Sequence, residues 1–224
     1  MSEIVNTSIF RFLTDLKNNN NRAWFAENKE YYHKEERQIE DFFTTMYEKL
    51  STIDNIGSMK IYRIYRDIRF SKDKTPFKTH FGLTWHRTKP LYRGGYYLHL
   101  SPGKNFLACG FWDPNPNDLK RIRKELEYEA KEFRDIISSK EFFSVWGSLE
   151  GSELKTAPRN FDKNHPDIDL IRKKQFIFSI SYSDEEVCEP QFINKLENAL
   201  KMVRPFTDYM SDVLTSDENG ESLF

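Results

Sequence analysis

Cysteine and long apolar runs are both scarce in this sequence. Cys109 and Cys188 are the only cysteines among 224 residues, and no CxxC pair is present. This excludes a disulfide framework and a thiolate zinc site. No stretch reaches the roughly 20 apolar residues that cross a bilayer, and residues 1–10 lack the basic and apolar parts of a signal peptide. We therefore predict a cytoplasmic protein without a membrane partner.

Signature motifs of the common nucleotide-binding and hydrolytic folds are also missing. The sequence has no GxxxxGKS/T, no GxGxxG after a strand and no GxSxG, so P-loop, Rossmann and α/β-hydrolase interpretations lack support. His80, His86 and His99 could meet across a sheet, but no HExxH or other spaced metal signature accompanies them. We predict no metal site, and the sequence identifies no cofactor.

Aromatic residues, in contrast, are abundant. They make up 15% of the chain, in a sequence that is 38% hydrophobic and 31% charged. Large rings can fill a core when the overall hydrophobic content is modest. The length fits one such core. We predict a single domain over residues 1–214, followed by a disordered tail at 215–224.

The spacing of hydrophobic residues predicts a helical arm over residues 7–50. A first helix starts at Thr7 or Ser8. Asn21 can then cap a long amphipathic helix over residues 22–50. These helices are predicted to lie over the core.

The next region, residues 59–112, is rich in β-branched and aromatic residues. It contains four candidate strands, at residues 59–70, 77–87, 95–100 and 106–112. The last two are joined across SPGKN, which is a good hairpin sequence. This region is predicted to form the sheet.

The C-terminal part, residues 116–214, mixes both patterns. Its predicted elements are a helix from residue 116 to about 137, a short helix at 142–146, a strand at 176–182, and a helix from 190 that kinks or breaks at Arg204-Pro205. Consecutive strands bracketed by helices differ from a βαβα alternation. They predict an α+β fold with a mainly antiparallel sheet flanked by N-terminal and C-terminal helices.

Positive charge is concentrated in one part of the chain. Residues 60–93 contain ten of the 34 Lys and Arg but only two of the 35 Asp and Glu. The whole chain has a formal net charge of −1 and a pI near 6.5, which argues against a protein that coats nucleic acid through bulk charge. A local anion site is the stronger interpretation.

The spacing of hydrophobic residues after Lys60 is compatible with either a strand or a helix. If it is extended, Arg66 lies in an apolar row with Ile64 and Ile68, where an unpaired guanidinium would be costly and would need a carboxylate, a carbonyl or a bound anion. If it is helical, the arginines face solvent instead. We favour the strand.

Arginines at a spacing of three suit bidentate recognition of carboxylate or phosphate. Asp67, between Arg66 and Arg69, should have a lowered pKa and orient both guanidinium groups. Six residues are predicted to bind a phosphate- or carboxylate-bearing small molecule, in a binding protein or an enzyme: Arg63, Arg66, Asp67, Arg69, Lys74 and Lys78.

Three other interpretations of the same segment stay open. Its charges could form salt bridges that tie the acidic helices to the sheet. It could bind single-stranded nucleic acid, with Tyr62, Tyr65, Phe70 and Trp85 as stacking surfaces. It could also dock an acidic protein partner.

The segment RIYRDIRFSKDKTPF, residues 63–77, resembles the signature RxxRDxRFxxDKxPY of a widespread family of conserved bacterial proteins of unknown function that has relatives in fungi. Phe77 stands where that signature has tyrosine. LKNNNNRAWFAENKEYY, GGYYLHL and LKTAPRNFDKNHPDIDLIRKKQF add to the resemblance, which therefore spans most of the chain. It implies no particular activity, substrate or cofactor.

Overall fold

The computed structural model describes residues 3–217 and 221–224 of the chain. Its elements follow in this order: α1 (Thr7–Asn18), α2 (Arg22–Glu27), α3 (Lys29–Ser51), β1 (Ile56–Ile61), β2 (Phe81–Arg87), β3 (Gly95–Leu100), β4 (Asn105–Phe111), α4 (Pro116–Tyr128), α5 (Lys131–Ser138), α6 (Lys140–Trp146), α7 (Ile168–Ile171), β5 (Phe176–Tyr182), α8 (Asp184–Cys188) and α9 (Phe192–Thr215). Within those described residues, every helix is too short or too polar to cross a membrane.

The five strands form one sheet in the order β1-β2-β3-β4-β5, and each strand is antiparallel to its neighbour. Helices precede β1 and follow β5 in the chain, and α4 to α7 lie between β4 and β5. The predicted α+β fold with an antiparallel sheet is thus confirmed. The predicted hairpin is confirmed too, since Lys104 N–H donates to Ser101 O across the turn between β3 and β4.

One face of the sheet is the floor of the hydrophobic core. Phe43 of α3 stacks on Trp85 of β2 with ring centroids 4.7 Å apart, and Phe206 of α9 meets Phe178 of β5 edge-on at 5.0 Å. Alternation along the strands sends the intervening side chains to the opposite face. We call that opposite side the open face; its side chains include Thr84, His86, Tyr97, His99 and Phe106.

Two predicted helices are interrupted. The helix predicted over residues 22–50 breaks at Asn28, whose side-chain amide donates to Trp24 O at 2.9 Å and ends α2. The helix predicted from residue 116 to 137 is divided between α4 and α5 near Ala130. Asparagine competes with the helix for backbone groups, which hydrophobic spacing alone does not reveal.

The C-terminal helices also differ from the prediction. An additional short helix, α8, begins with a capping box between Ser183 and Glu186, whereas the helix predicted from Pro190 corresponds to α9. The last helix, α9, continues through Pro205, where a kink or break was predicted. Buried side chains on both sides of that proline, Val203 and Phe206, hold the helix against the core.

The strand predicted over residues 59–70 is wrong beyond Ile61, and the one predicted from residue 77 begins only at Phe81. Between them the chain leaves the sheet and turns back on itself, with Arg66 N–H bonded to Pro76 O. The carboxylates of Asp67 and Asp73 accept from the backbone N–H groups two residues later. These turns take up donors that a strand would need.

At the C-terminus, Thr215 ends α9 and Ser216 pairs with Ser222 in an isolated bridge. Residues 218–220, inside the predicted disordered tail, lie outside the described part of the chain.

A buried charged network joins the sheet to the helices. The side chains of Arg87 and Asp54 are fully buried and lie 2.9 Å apart, Nε to Oδ2. Arg87 Nη1 also donates to Thr207 O at 2.8 Å and to Ser211 Oγ at 2.9 Å, both on α9. The Tyr96 hydroxyl donates to Asp54, and burial together with this carboxylate raises the pKa of Tyr96. The Arg87–Asp54 pair therefore connects β2, β3, α9 and the turn before β1.

We expect Arg87→Met to lower the free energy of unfolding by about 3 kcal/mol, because Asp54 would stay buried with only the more distant Arg204, 3.6 Å away, as its cation. Urea denaturation followed by circular dichroism measures this loss. Arg69→Met removes an ion pair at the surface and should leave stability close to that of the parent protein. Equal stability of the two variants would contradict the role given to Arg87.

Candidate anion site on the open sheet face

Arg66 holds together the loop that follows β1. Its Nη1 lies 2.5 Å from Asp73 Oδ2 and donates to Thr75 O at 3.1 Å. The Thr75 backbone N–H and Arg66 both bind the Asp73 carboxylate, and they lower the pKa of Asp73 to about 2. Asp67 is the carboxylate predicted to orient both Arg66 and Arg69. For Arg66, the carboxylate in contact is Asp73.

Arg69 and Asp67 form a second pair at the surface. Arg69 Nε and Nη2 donate to the two Asp67 oxygens at 3.0 and 2.6 Å, and this lowers the pKa of Asp67, as the sequence predicted. Lys74 Nζ donates to Ile68 O at 3.0 Å. Arg66, Arg69 and Lys74 thus each contact the loop itself, and they do not converge on one pocket.

Arg63 and Lys78 lack such pairing, although Lys78 lines a pocket together with Arg66 and Asp73. Neither forms an ion pair or side-chain hydrogen bond with any residue in 3–217 or 221–224, and the same holds for Lys60. The Nζ atoms of Lys60 and Lys78 lie 5.0 and 5.5 Å from the centre of the Tyr62 ring. Burial, Arg63 and Lys60 lower the pKa of Lys78. We call Lys60, Arg63 and Lys78 the cation cluster.

Register and turn geometry bring this cluster together. Lys60 lies opposite Thr84 in the β1–β2 pair, which places it on the open face. The Tyr62 N–H donates to Gly82 O and keeps Tyr62 at the edge of β2 after β1 has ended. Lys78 N–H donates to Ile64 O, so the returning chain sets Lys78 beside the outgoing one.

The N-terminal arm anchors the base of the loop. Asn20 donates to Phe77 O at 3.0 Å and accepts from Phe77 N–H at 3.1 Å. The Phe77 ring is buried and stacks on Phe25 of α2 with centroids 4.0 Å apart. The asparagine run before α2 therefore has a structural partner, Phe77, that hydrophobic spacing does not predict.

Two histidines meet on the open face next to the cation cluster. The rings of His80 and His99 lie 4.2 Å apart, and His99 Nδ1 is 3.0 Å from the Tyr97 hydroxyl. Burial and His80 lower the pKa of His99 to about 4, and burial and Lys78 lower the pKa of His80. Both imidazoles are therefore neutral at pH 7.

The predicted meeting of three histidines occurs for only two of them. His99 lies opposite Gly82, whereas His86 lies opposite Gly95 at the other end of the β2–β3 pair. Among the residues described, no group of three or more His, Cys, Asp or Glu side chains is placed to hold a metal ion.

Of the stacking surfaces predicted for nucleic acid, Trp85 is wrong. It is fully buried against Phe43, so no base can reach it. Phe70 and Tyr65 are 96% and 47% exposed. Lys60 and the way it pairs with Lys78 around Tyr62 were not found from the sequence, because the contact depends on the turn at residues 66–75.

These features define an α+β protein in which the helices cover one sheet face and cations collect at an edge of the other. The chain belongs to the family of conserved hypothetical proteins DUF2461, which it matches over residues 8–209. That range includes the whole sheet and the cation cluster. Comparison with curated proteins found no match, and comparison with solved structures found none.

We expect an NMR titration to give His99 a midpoint near pH 4, because its charged form would be buried beside His80. An unfolded chain takes up that proton near pH 6.5. Stability should therefore fall as the pH drops from 6.5 towards 4, and His99→Gln should remove part of this fall. A midpoint near 6.5 would show that the imidazole is not held in its neutral form.

Proposed function

We propose that this protein binds a phosphate- or carboxylate-bearing small molecule at the cation cluster, Lys60, Arg63 and Lys78. One observation carries the proposal: three cations lie close together, and none of them forms an ion pair with a carboxylate among the described residues. The nearest carboxylates, Asp67 and Asp73, are paired with Arg69 and Arg66 instead. Like charges placed together raise the free energy of the protein, and a bound anion removes that cost. Arg66 and Arg69, in contrast, each have a carboxylate partner.

The chemistry of the cluster suits a compact anion. Arg63 can offer two parallel N–H donors to a phosphate or carboxylate. Lys60 and Lys78 can each add a point charge from beside the Tyr62 ring. Lys78 is half-buried, so its attraction for an anion is screened less by water than that of a fully exposed lysine.

Arg66, Asp67, Arg69 and Lys74 have a supporting role in this proposal. Their contacts shape the loop that returns the chain to Lys78. A loop stiffened in this way loses little conformational entropy when the ligand binds. The six residues predicted from the sequence are therefore divided between ligand contact, for Arg63 and Lys78, and positioning, for the other four.

Thermal unfolding with inorganic pyrophosphate and with citrate tests the proposal. A ligand at 100 times its Kd stabilises the folded state by about 2.7 kcal/mol, so a clear rise in Tm is expected. Lys60→Ala with Lys78→Ala should weaken binding of the anion at least tenfold, since each removes a charged contact. Lys131→Ala with Lys140→Ala removes the same two positive charges at the starts of α5 and α6, on the helical side, and should bind like the parent.

The result that overturns the proposal is a Tm indifferent to both anions, or a Tm rise that the double variant keeps. A single-stranded oligonucleotide belongs in the same assay, because Phe70 and Tyr65 are exposed near the cations. Oligonucleotide binding that falls steeply with salt, without any response to pyrophosphate, would favour the nucleic-acid alternative.

A further inference from the structure

A pocket of about 600 Å³ lies over the open face, next to the cation cluster. Tyr62 lies between the pocket and the cluster: it lines the pocket, and the centre of its ring is 5.0 Å from Lys60 Nζ. Thr84, His86, Tyr97 and Trp112 line the same pocket. Its volume is within the range of about 300–1,000 Å³ that is usual for small-molecule sites.

Part of the pocket, which we call the glycine floor, is formed by the backbone of Gly95 and Gly110, and the strand geometry requires glycine at both positions. A Cβ atom at Gly95 would lie 2.7 Å from Trp85 O. Gly110 has a φ of +126°, and a Cβ atom there would lie 2.0 Å from Phe176 O. No side chain fits at either position, so only backbone atoms of these two residues line the pocket.

The walls combine aromatic rings with hydrogen-bonding groups that have no protein partner. Trp112 is 36% exposed and Tyr97 is half-buried, which leaves part of each ring available to a ligand. His86 and Lys89 form no hydrogen bond or ion pair with the described residues, and neither does the Asp113 carboxylate. A flat ring with polar edges is the kind of group that such walls can hold.

The two sites are connected in a way that constrains their common ligand. An anionic group held by Lys60 and Lys78 lies beside Tyr62, and the rest of the molecule can then extend over Gly95 and Gly110. We propose, as an inference that rests on the proposed anion site, that the ligand is a phosphate ester of a flat aromatic group, of the nucleotide kind. The phosphate binds at the cation cluster and the ring lies on the glycine floor against Trp112.

Isothermal titration with a set of probes tests this ligand class. The probes are inorganic pyrophosphate, ribose 5-phosphate and the four common nucleoside diphosphates. At least one nucleoside diphosphate should bind about tenfold tighter than pyrophosphate and ribose 5-phosphate, because the ring adds a stacking contact. Lys60→Ala with Lys78→Ala should weaken binding of every probe.

Trp112→Ala should abolish the preference for the nucleoside diphosphate and leave pyrophosphate binding unchanged. Phe143→Ala removes another exposed ring, on α6, and should leave both unchanged. The unmodified protein provides a test that does not depend on the folding of any variant. A nucleoside diphosphate should shift the amide NMR signals of Gly95 and Gly110, and pyrophosphate should not.

The outcomes separate the two proposals. If pyrophosphate binds but the ring adds no affinity, or Trp112→Ala keeps the preference, the ring site is overturned and the anion site stands. If glycine amide signals do not move with any nucleoside diphosphate, the ring site is also overturned. If no probe binds but citrate raises the Tm, the ring site is overturned and the anion site stands. If no probe binds and citrate has no effect either, both proposals fail.

Discussion

The buried pair of Arg87 and Asp54 sets the relation between the sheet and its helices. A buried guanidinium must have its donors satisfied, and in this protein the acceptors come from α9 and from the turn before β1. Movement of α9 along the sheet would break the hydrogen bonds that Arg87 donates to this helix. The helical layer is therefore held on one side of the sheet, and the open face is free to carry polar and aromatic side chains.

The candidate site depends on where the first strand of this sheet ends. Because β1 ends at Ile61, the chain crosses the edge of the sheet and must return to begin β2. The ion pair of Arg66 with Asp73 and the hydrogen bonds of Asn20 with Phe77 stabilise the loop between β1 and β2. The cation cluster then gathers where the two passes of chain meet. Its unpaired charges depart from the pairing seen around it, as functional sites often do.

Much of the fold could be predicted from the periodic spacing of hydrophobic residues. Strands β3 and β5 have the bounds predicted for them, since alternation with clear turn residues marks both ends. The segment after Ile61 could not be predicted in the same way. Its residues alternate like a strand, but Asp67 and Asp73 capture backbone N–H groups locally, and Arg66 finds its carboxylate seven residues away.

By itself the sequence determined the fold class, the family signature and the region where positive charge collects, because these depend on composition and local period. It also contained an unused signal: Arg87 follows Leu83 and Trp85 at alternate positions, on the buried face. Which arginine is buried, which cations lack a carboxylate and which glycines form a floor were decided only by the tertiary structure. Each of these is settled by partners distant in sequence, such as Asp54 for Arg87 and Phe176 for Gly110, and no local pattern specifies such contacts.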